Sequence, residues 1–327
     1  MSDPFYQNVI AVIWDFDKTL IAHYMQKPIF EHFKVNGQEF WDEVNSLRDK
    51  YRRRHPEIRI NQDTFYLNHM LTCVKQGIFA GLNNSMLREF GSRLEFYPGM
   101  PKFLGESKRI IEEDERFKPF AIKVEHYIVS TGLAEMIRGS QVMPYVDGIW
   151  GCEFIEDVIR SNLDVKEYVK DREISEVNRV ITQIGYAVDN TSKTRAIFEI
   201  NKGANKNPAI DVNSSMPREK RRVPFEHMIY IADGPSDVPA FSILKQYGGS
   251  TFAVYPKGEW KEFKQVEQLR RDGRIDMYGE ADYTPQTTTY MWLINRMKEI
   301  AEKIVQRKEA AIRQIVSNPP THINADS

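Results

Sequence analysis

Cysteine is nearly absent from this chain of 327 residues, which contains only Cys73 and Cys152. Far apart and outside any metal-ligand spacing, the pair gives no disulfide framework and no cysteine metal site, and it points to a reducing compartment such as the cytoplasm. Charge of one sign is missing too: 45 basic and 46 acidic residues leave a formal net charge of −1. Such a balance gives no reason to expect nucleic acid or an anionic membrane as partner. No apolar run is long enough to cross a bilayer, and the N-terminal one is too short for a signal core and stops at Asp15. Repeats and low-complexity segments are absent as well. What remains agrees with a soluble globular chain, long enough for one large domain and a smaller one.

The N-terminal run, Val9 to Trp14, ends abruptly in Asp15-Phe16-Asp17-Lys18-Thr19-Leu20. It reads as a buried strand with chemistry at its tip. If strand geometry continues through both acids, alternate side chains fall on one side, so Asp15 and Asp17 face one pocket. Two acids so placed repel, which calls for an organising cation. A hard, oxygen-seeking ion such as Mg2+ suits a carboxylate and a backbone carbonyl, leaving the second carboxylate free to handle protons. A strand followed by a polar turn is the plain alternative, since Asp and Thr are common in turns.

Three further segments follow in order. His126 to Thr131 is a second apolar strand, closed by Ser130-Thr131-Gly132 and followed by a helix-like stretch from Leu133. Backbone N–H groups at such a junction favour an anion, although a Ser/Thr helix cap would look the same. Asp189-Asn190-Thr191-Ser192-Lys193 opens an amphipathic stretch, with Lys202 and Lys206 as rival lysines nearby. Lysine in a first helical turn opposes the helix dipole, so a functional charge partner is one explanation and a solvated surface residue the other. Last, Met228 to Ala232 is a strand ending in Asp233-Gly234-Pro235-Ser236-Asp237, two acids of the type and spacing for a second contribution to Mg2+.

Together DFDKTL, VSTG, a lysine and DGPSD resemble the four ordered motifs of the haloacid dehalogenase superfamily of aspartate-nucleophile phosphohydrolases. The resemblance implies an aspartyl-phosphate intermediate on Asp15, with Asp17 as acid and then base. It implies that Ser130, Lys193 and the amides of Thr131 and Gly132 hold the phosphoryl oxygens. Mg2+ would be held by Asp15, the Asp17 carbonyl and Asp233, with Asp237 a direct or an outer ligand. Asp17 separates phosphate chemistry from dehalogenation, because dehalogenases lack that second aspartate. Ala232 replaces a glycine common in the family, without touching a ligand. The architecture is similar to that of phosphoserine phosphatases, but Ser130-Thr131-Gly132 departs from their Ser-Gly-Gly, so that substrate is not assigned.

Strands are expected near 8–15, 126–131, 148–154, 227–233 and 251–255, with helices between most of them. That alternation predicts an α/β fold, a doubly wound, mostly parallel Rossmann-like sheet with ligands at the carboxyl ends of the strands. Residues 21–97 exceed one crossover and carry Phe30, Phe33, Phe40, Trp41, Val44 and Leu47, then Phe65, Leu67, Met70, Leu71 and Val74, at near-helical spacing. They read as an inserted helical cap, with 1–20 and 98–327 forming the catalytic core. In the cap, Tyr24, Gln26 and Arg52-Arg53-Arg54-His55 are candidates for reading the leaving group. Residues 155–188 suggest extra strands or a hairpin, 201–224 a long surface loop, and Met291, Ile294, Met297, Ile300, Ala301 and Ile304 a helical stripe stopped by Pro319-Pro320 before a disordered tail.

The expected activity is Mg2+-dependent hydrolysis of a small phosphomonoester. Two alternatives share the fold: a phosphotransferase or phosphomutase using the same intermediate, and a non-catalytic binding scaffold. Mutually repelling acids in one pocket argue against the scaffold. The oligomeric state is open.

Overall fold

The computed structural model describes residues 7–156 and 179–317. At its centre is a seven-stranded sheet: β1 (Val9–Trp14), β2 (Lys123–Leu133), β3 (Gly148–Glu156), β4 (Ile181–Tyr186), β5 (Met228–Ala232), β6 (Ser250–Tyr255) and β7 (Met277–Glu280). The spatial order is β4-β3-β2-β1-β5-β6-β7, and all neighbours run parallel except β3 and β4. The α/β doubly wound reading therefore holds.

The composition of β1 follows from its place. All six of its residues are buried. Ile10, Val12 and Trp14 enter the apolar layer on one face, while Val9, Ala11 and Ile13 enter the layer on the other. A central parallel strand covered on both sides has no solvent face, so it reads as a continuous apolar run. Helices α5 (Lys102–Glu112) and α10 (Thr288–Ser317) cover the first face; α7 (Lys193–Lys202), α8 (Val238–Gln246) and α9 (Trp260–Arg271) cover the second. From β1 the sheet grows towards β2 in one direction and towards β5 in the other. The crevice beyond the carboxyl ends of β1 and β5 is thus the switch point where doubly wound sheets bind ligands.

Between β1 and α5 lie four helices: α1 (Lys27–Phe33), α2 (Gly37–Arg54), α3 (Phe65–Lys75) and α4 (Asn84–Gly91). Phe30, Phe40, Val44, Leu67 and Met70 are buried there, in an apolar cluster continuous with the sheet layer below. Helix α4 packs closely on α6 (Ala134–Gly139), which follows β2. A Cβ on Gly91 would lie 2.0 Å from the Met136 carbonyl oxygen, and one on Gly139 would lie 1.7 Å from that of Arg88. Only glycine permits this backbone approach.

Some details differ from expectation. The edge strand β7 has four residues, only one of them buried, too short and too exposed to leave an alternating pattern. Residues 155–188 supply β4, antiparallel to β3; residues 157–178 lie outside the description, as do Pro319-Pro320 and the tail. The 203–224 stretch is a loop with one short 3-10 turn at Arg218–Lys220. Its charge run is not merely solubilising, since Arg222 forks onto Glu125 with both nitrogens. Of the C-terminal stripe, Ile294, Met297, Ile300, Ala301 and Ile304 are buried. Met291 is 54% exposed, and Leu293, two residues further on, is buried instead. No helix among the described residues is long and apolar enough to cross a membrane.

Candidate active site

Asp15 follows the last residue of β1 and keeps one more sheet contact, its N–H donating to the Ile231 carbonyl on β5. The Phe16 carbonyl then accepts from the amides of Thr19, Leu20 and Ile21, closing a turn in which Lys18 takes a positive φ of 56°. This turn presents Asp17 to the same crevice as Asp15. The Asp17 Oδ1 accepts from the Met25 amide at 3.0 Å, so the segment leading into α1 docks directly on the second acid.

Lys193 enters from the other side. Asp189 shapes the approach: its Oδ1 accepts from the amides of Thr191 and Ser192, a side-chain-capped turn that delivers Lys193 as the first residue of α7. The ammonium is buried and donates to Asp15 Oδ1 at 2.7 Å and to Asp237 Oδ1 at 2.6 Å. Its two sequence rivals point elsewhere. Lys202 Nζ donates to the carbonyls of Val212 and Ser214, and Lys206 Nζ to that of Asp147.

Asp233 follows β5 directly, and Asp237 lies in a 3-10 turn (Pro235–Asp237) that leads into α8. One carboxylate oxygen each from Asp15, Asp233 and Asp237 lie within 4.8 Å of one another. At Asp15 and Asp233 burial is the main electrostatic influence. It pushes Asp15 up to about 6, against the pull of Lys193 and with the repulsion of Asp237. It pushes Asp233 up to about 7, with repulsion from Asp15 and Asp237 adding. Asp17 stands well above the usual carboxylate range, again through burial first and the Asp15 charge second. For Lys193, burial opposes the charge but the two carboxylates outweigh it, and the ammonium is held above its ordinary value. The carboxylates outnumber the one buried ammonium, so those that ionise carry negative charge that a hard cation with oxygen ligands would neutralise. The donor set fits Mg2+.

The VSTG segment is less simple than a strand-to-helix junction. β2 runs on to Leu133, its register to β3 shifts between Val129 and Leu133, and the following α6 has only six residues. The Gly132 amide donates to Ser130 Oγ at 3.0 Å and the Leu133 amide to the Met25 sulfur. Ser130 is buried beside the crevice, and the Thr131 carbonyl accepts from the Tyr66 hydroxyl of α3 at 2.8 Å.

The helical segment also touches the turn that delivers Lys193. Asn61 donates to Asp189 at 2.9 Å, and the Asn190 amide donates to Asp63 at 3.2 Å. The cap residues singled out from sequence divide. Tyr24 packs on Trp41 and carries the Lys18 ammonium 4.5 Å from its ring centre, beside the Asp17 turn. Gln26 is buried, with an Oε1 that has no partner among the described residues. Arg52, Arg53 and Arg54 end α2 and are all exposed, and His55 faces Glu57.

No family model matches the chain. Solved structures overlap it loosely. A HAD family hydrolase from Salmonella enterica serovar Typhi is 14% identical, with a TM-score of 0.47 over 84% of this chain and 67% of the other. A probable phosphoserine phosphatase from Vibrio cholerae is 12% identical, with a TM-score of 0.47 over 92% and 69%. An uncharacterized protein of Borreliella burgdorferi is 36% identical over 294 residues, which make up 89% of this chain and 97% of that one. The two chains belong to one family. The four ordered segments of the sequence meet here at one switch-point crevice, with the lysine of the third bridging the acids of the first and fourth.

Sequence reasoning missed several groups that complete this site. Thr19 Oγ1 donates to Asp15 Oδ2 at 3.3 Å, Ser236 Oγ to Asp237 Oδ2 at 2.8 Å, and Tyr230 Oη to Asp237 Oδ1 at 2.7 Å. Tyr230 left a faint signal, being the one residue with a polar tip in the strand Met228–Ala232. Tyr66 left none, because its role depends on how α3 lands on β2.

Proposed function

We propose that this protein hydrolyses a small phosphomonoester, with Asp15 as nucleophile. The observation that carries this reading is the ammonium of Lys193 bridging Asp15 and Asp237 at 2.7 and 2.6 Å, with Asp17 facing the same enclosed crevice. A carboxylate oxygen of Asp15 forms a bond to phosphorus as the ester P–O bond breaks. Asp17, whose burial favours its protonated form, gives its proton to the departing alkoxide. The same carboxylate then takes a proton from water as the water oxygen attacks phosphorus, which releases phosphate and restores Asp15. The Lys193 charge offsets the equatorial oxygens, because this chemistry is mostly positioning and charge stabilisation. Ser130 would join it once a phosphoryl oxygen takes the Gly132 amide in place of the serine hydroxyl, with the Thr131 amide beside it.

Asp15, the Asp17 carbonyl and Asp233 would hold Mg2+. When bound, the ion would shield the nucleophile's charge from that of the phosphate. Asp237, whose oxygens already accept from Lys193, Tyr230 and Ser236, would support the ion from outside. Residues 21–97 would act as the cap. Their contacts to Asp17, Thr131, Asp189 and Asn190 support a crevice that closes over a small substrate and excludes water. Two free, buried cysteines agree with a reducing, cytoplasmic setting.

Steady-state hydrolysis of an aryl phosphate by the purified protein tests the proposal, with Mg2+, with EDTA, and beside Asp15→Asn. Turnover that needs the metal and falls at least about a thousandfold in the variant is the expected result. Turnover that survives in Asp15→Asn overturns the assignment of the nucleophile.

A further inference from the structure

Tyr230 sits in the middle of β5, fully buried, in the apolar layer that also holds Ala11, Ile13, Val129 and Phe241. Its ring meets that of Phe241 edge to face at 5.6 Å. Nothing in this layer requires a hydroxyl. A phenylalanine would fill the same space, and a buried phenol needs a partner that only its tip supplies. That partner is a carboxylate, Asp237 Oδ1 at 2.7 Å, in a charge-assisted hydrogen bond.

The same oxygen accepts from Lys193, so two donors converge on Oδ1 while Ser236 takes Oδ2. Asp237 is thereby fixed about its terminal torsion, which is otherwise soft. Lys193 in turn must reach Asp15 Oδ1 and Asp237 Oδ1 at once, so the direction of its N–H bonds depends on where Asp237 stands. Without the phenol, one side of Asp237 is held by Lys193 alone, and the carboxylate and ammonium are free to turn together away from Asp15.

Building on the reading of Lys193 as the phosphoryl-binding cation, we infer that Tyr230 is a positioning residue: through Asp237 it aims the Lys193 ammonium at the reacting centre. Buried beneath the crevice, it acts only through its neighbours.

The test uses the full chain with Mg2+ and an aryl phosphate, comparing Tyr230→Phe, Asp237→Asn and the double variant. Tyr230→Phe is expected to lose about 10- to 100-fold in kcat with KM changed less than about threefold, less than the loss from removing a direct transition-state donor. In the Asp237→Asn background the same change is expected to cost less than about twofold, because its route is already cut. A full and additive loss in the double variant, or wild-type kcat in a Tyr230→Phe protein that merely melts earlier, overturns the inference. If the wild type hydrolyses no phosphate ester, the functional reading fails, and positioning is read instead by labelling. Lys193 is then followed by trinitrobenzenesulfonate modification and peptide mass spectrometry. Labelling about fivefold faster in Tyr230→Phe, with other lysines unchanged, supports the inference; equal rates overturn it.

Discussion

Lys193 Nζ and Asp15 Oδ1 lie 2.7 Å apart although 178 residues separate them along the chain. Both groups are buried. Desolvating such charges costs several kcal/mol each, and that cost is recovered only while the partners stay in place. Truncating Lys193 therefore leaves Asp15 and Asp237 facing each other without a counterion.

Lys193→Met is expected to destabilise the metal-free protein by about 3–5 kcal/mol at pH 8, the usual result of breaking a buried pair. Lowering the pH relieves part of this loss, because Asp15 then takes up a proton more readily than in the wild type. Urea unfolding at pH 8 and at pH 5.5, both in EDTA, measures the difference. Equal stability of the two proteins at pH 8 would show that the pair contributes nothing net.

Removing the metal has an expected signature too. Burial and mutual repulsion lift Asp15 to about 6 and Asp233 to about 7 in the free protein. Near and below those values a cation must displace protons, so Mg2+ affinity falls as pH falls from 8 to 6. At a concentration a hundredfold above Kd, the ion is expected to stabilise the fold by about 2.7 kcal/mol at pH 8. Asp233→Asn abolishes that stabilisation. Calorimetric titration at the two pH values, with melting curves of the variant, checks both statements; a pH-independent affinity would contradict them.

Much of this was legible in the sequence because the site is made of strand tips. In β1 and β5, burial on both faces imposes a continuous apolar run, and the acids that end each run mark where the strand leaves the core. Lys193 was distinguishable from Lys202 and Lys206 only by its place at a helix start. The rest depends on relations between distant elements. Tyr66 reaches Thr131, and Tyr230 reaches Asp237, through the way a helix or a turn lands, which no local pattern encodes. The strand β7 was invisible for a different reason, its four residues being too few and too exposed to show a period.

His126 offers a test of pH dependence away from the acids. Trp14 Nε1 donates to its Nδ1 at 3.1 Å, and an indole nitrogen can only donate, so the proton sits on Nε2 and is given to the Leu104 carbonyl. Burial first, and the Lys108 charge second, hold this imidazole down to about 3. The unfolded chain binds the proton near the ordinary 6.5 while the folded chain refuses it, so stability is lost as pH falls from 6.5 towards 3. The slope from this one group approaches 1.4 kcal/mol per pH unit. His126→Gln is expected to be less stable at pH 7 yet to lose less stability on acidification. Parallel pH profiles of wild type and variant would refute a neutral, buried His126.

Gly139→Ala probes the seam between α4 and α6. The added methyl would lie 1.7 Å from a backbone oxygen of Arg88, which cannot swing aside as a side-chain tip could. A loss of about 2–3 kcal/mol is expected from overpacking at this contact. Chemical denaturation measures it, and a loss below about 0.5 kcal/mol would mean that the two helices slide freely.

The position of β1 also constrains how the molecule is made. It precedes the other six described strands along the chain, yet it lies between β2 and β5, and β5 begins only at Met228. Until then the nascent chain can pair Val9–Trp14 on one side alone, and a wholly apolar strand with an open edge is a template for wrong partners. The period of greatest exposure to aggregation thus lasts from the synthesis of β1 to the moment β5 seals that edge, bringing Asp233 and Asp237 to Asp15 in the same event.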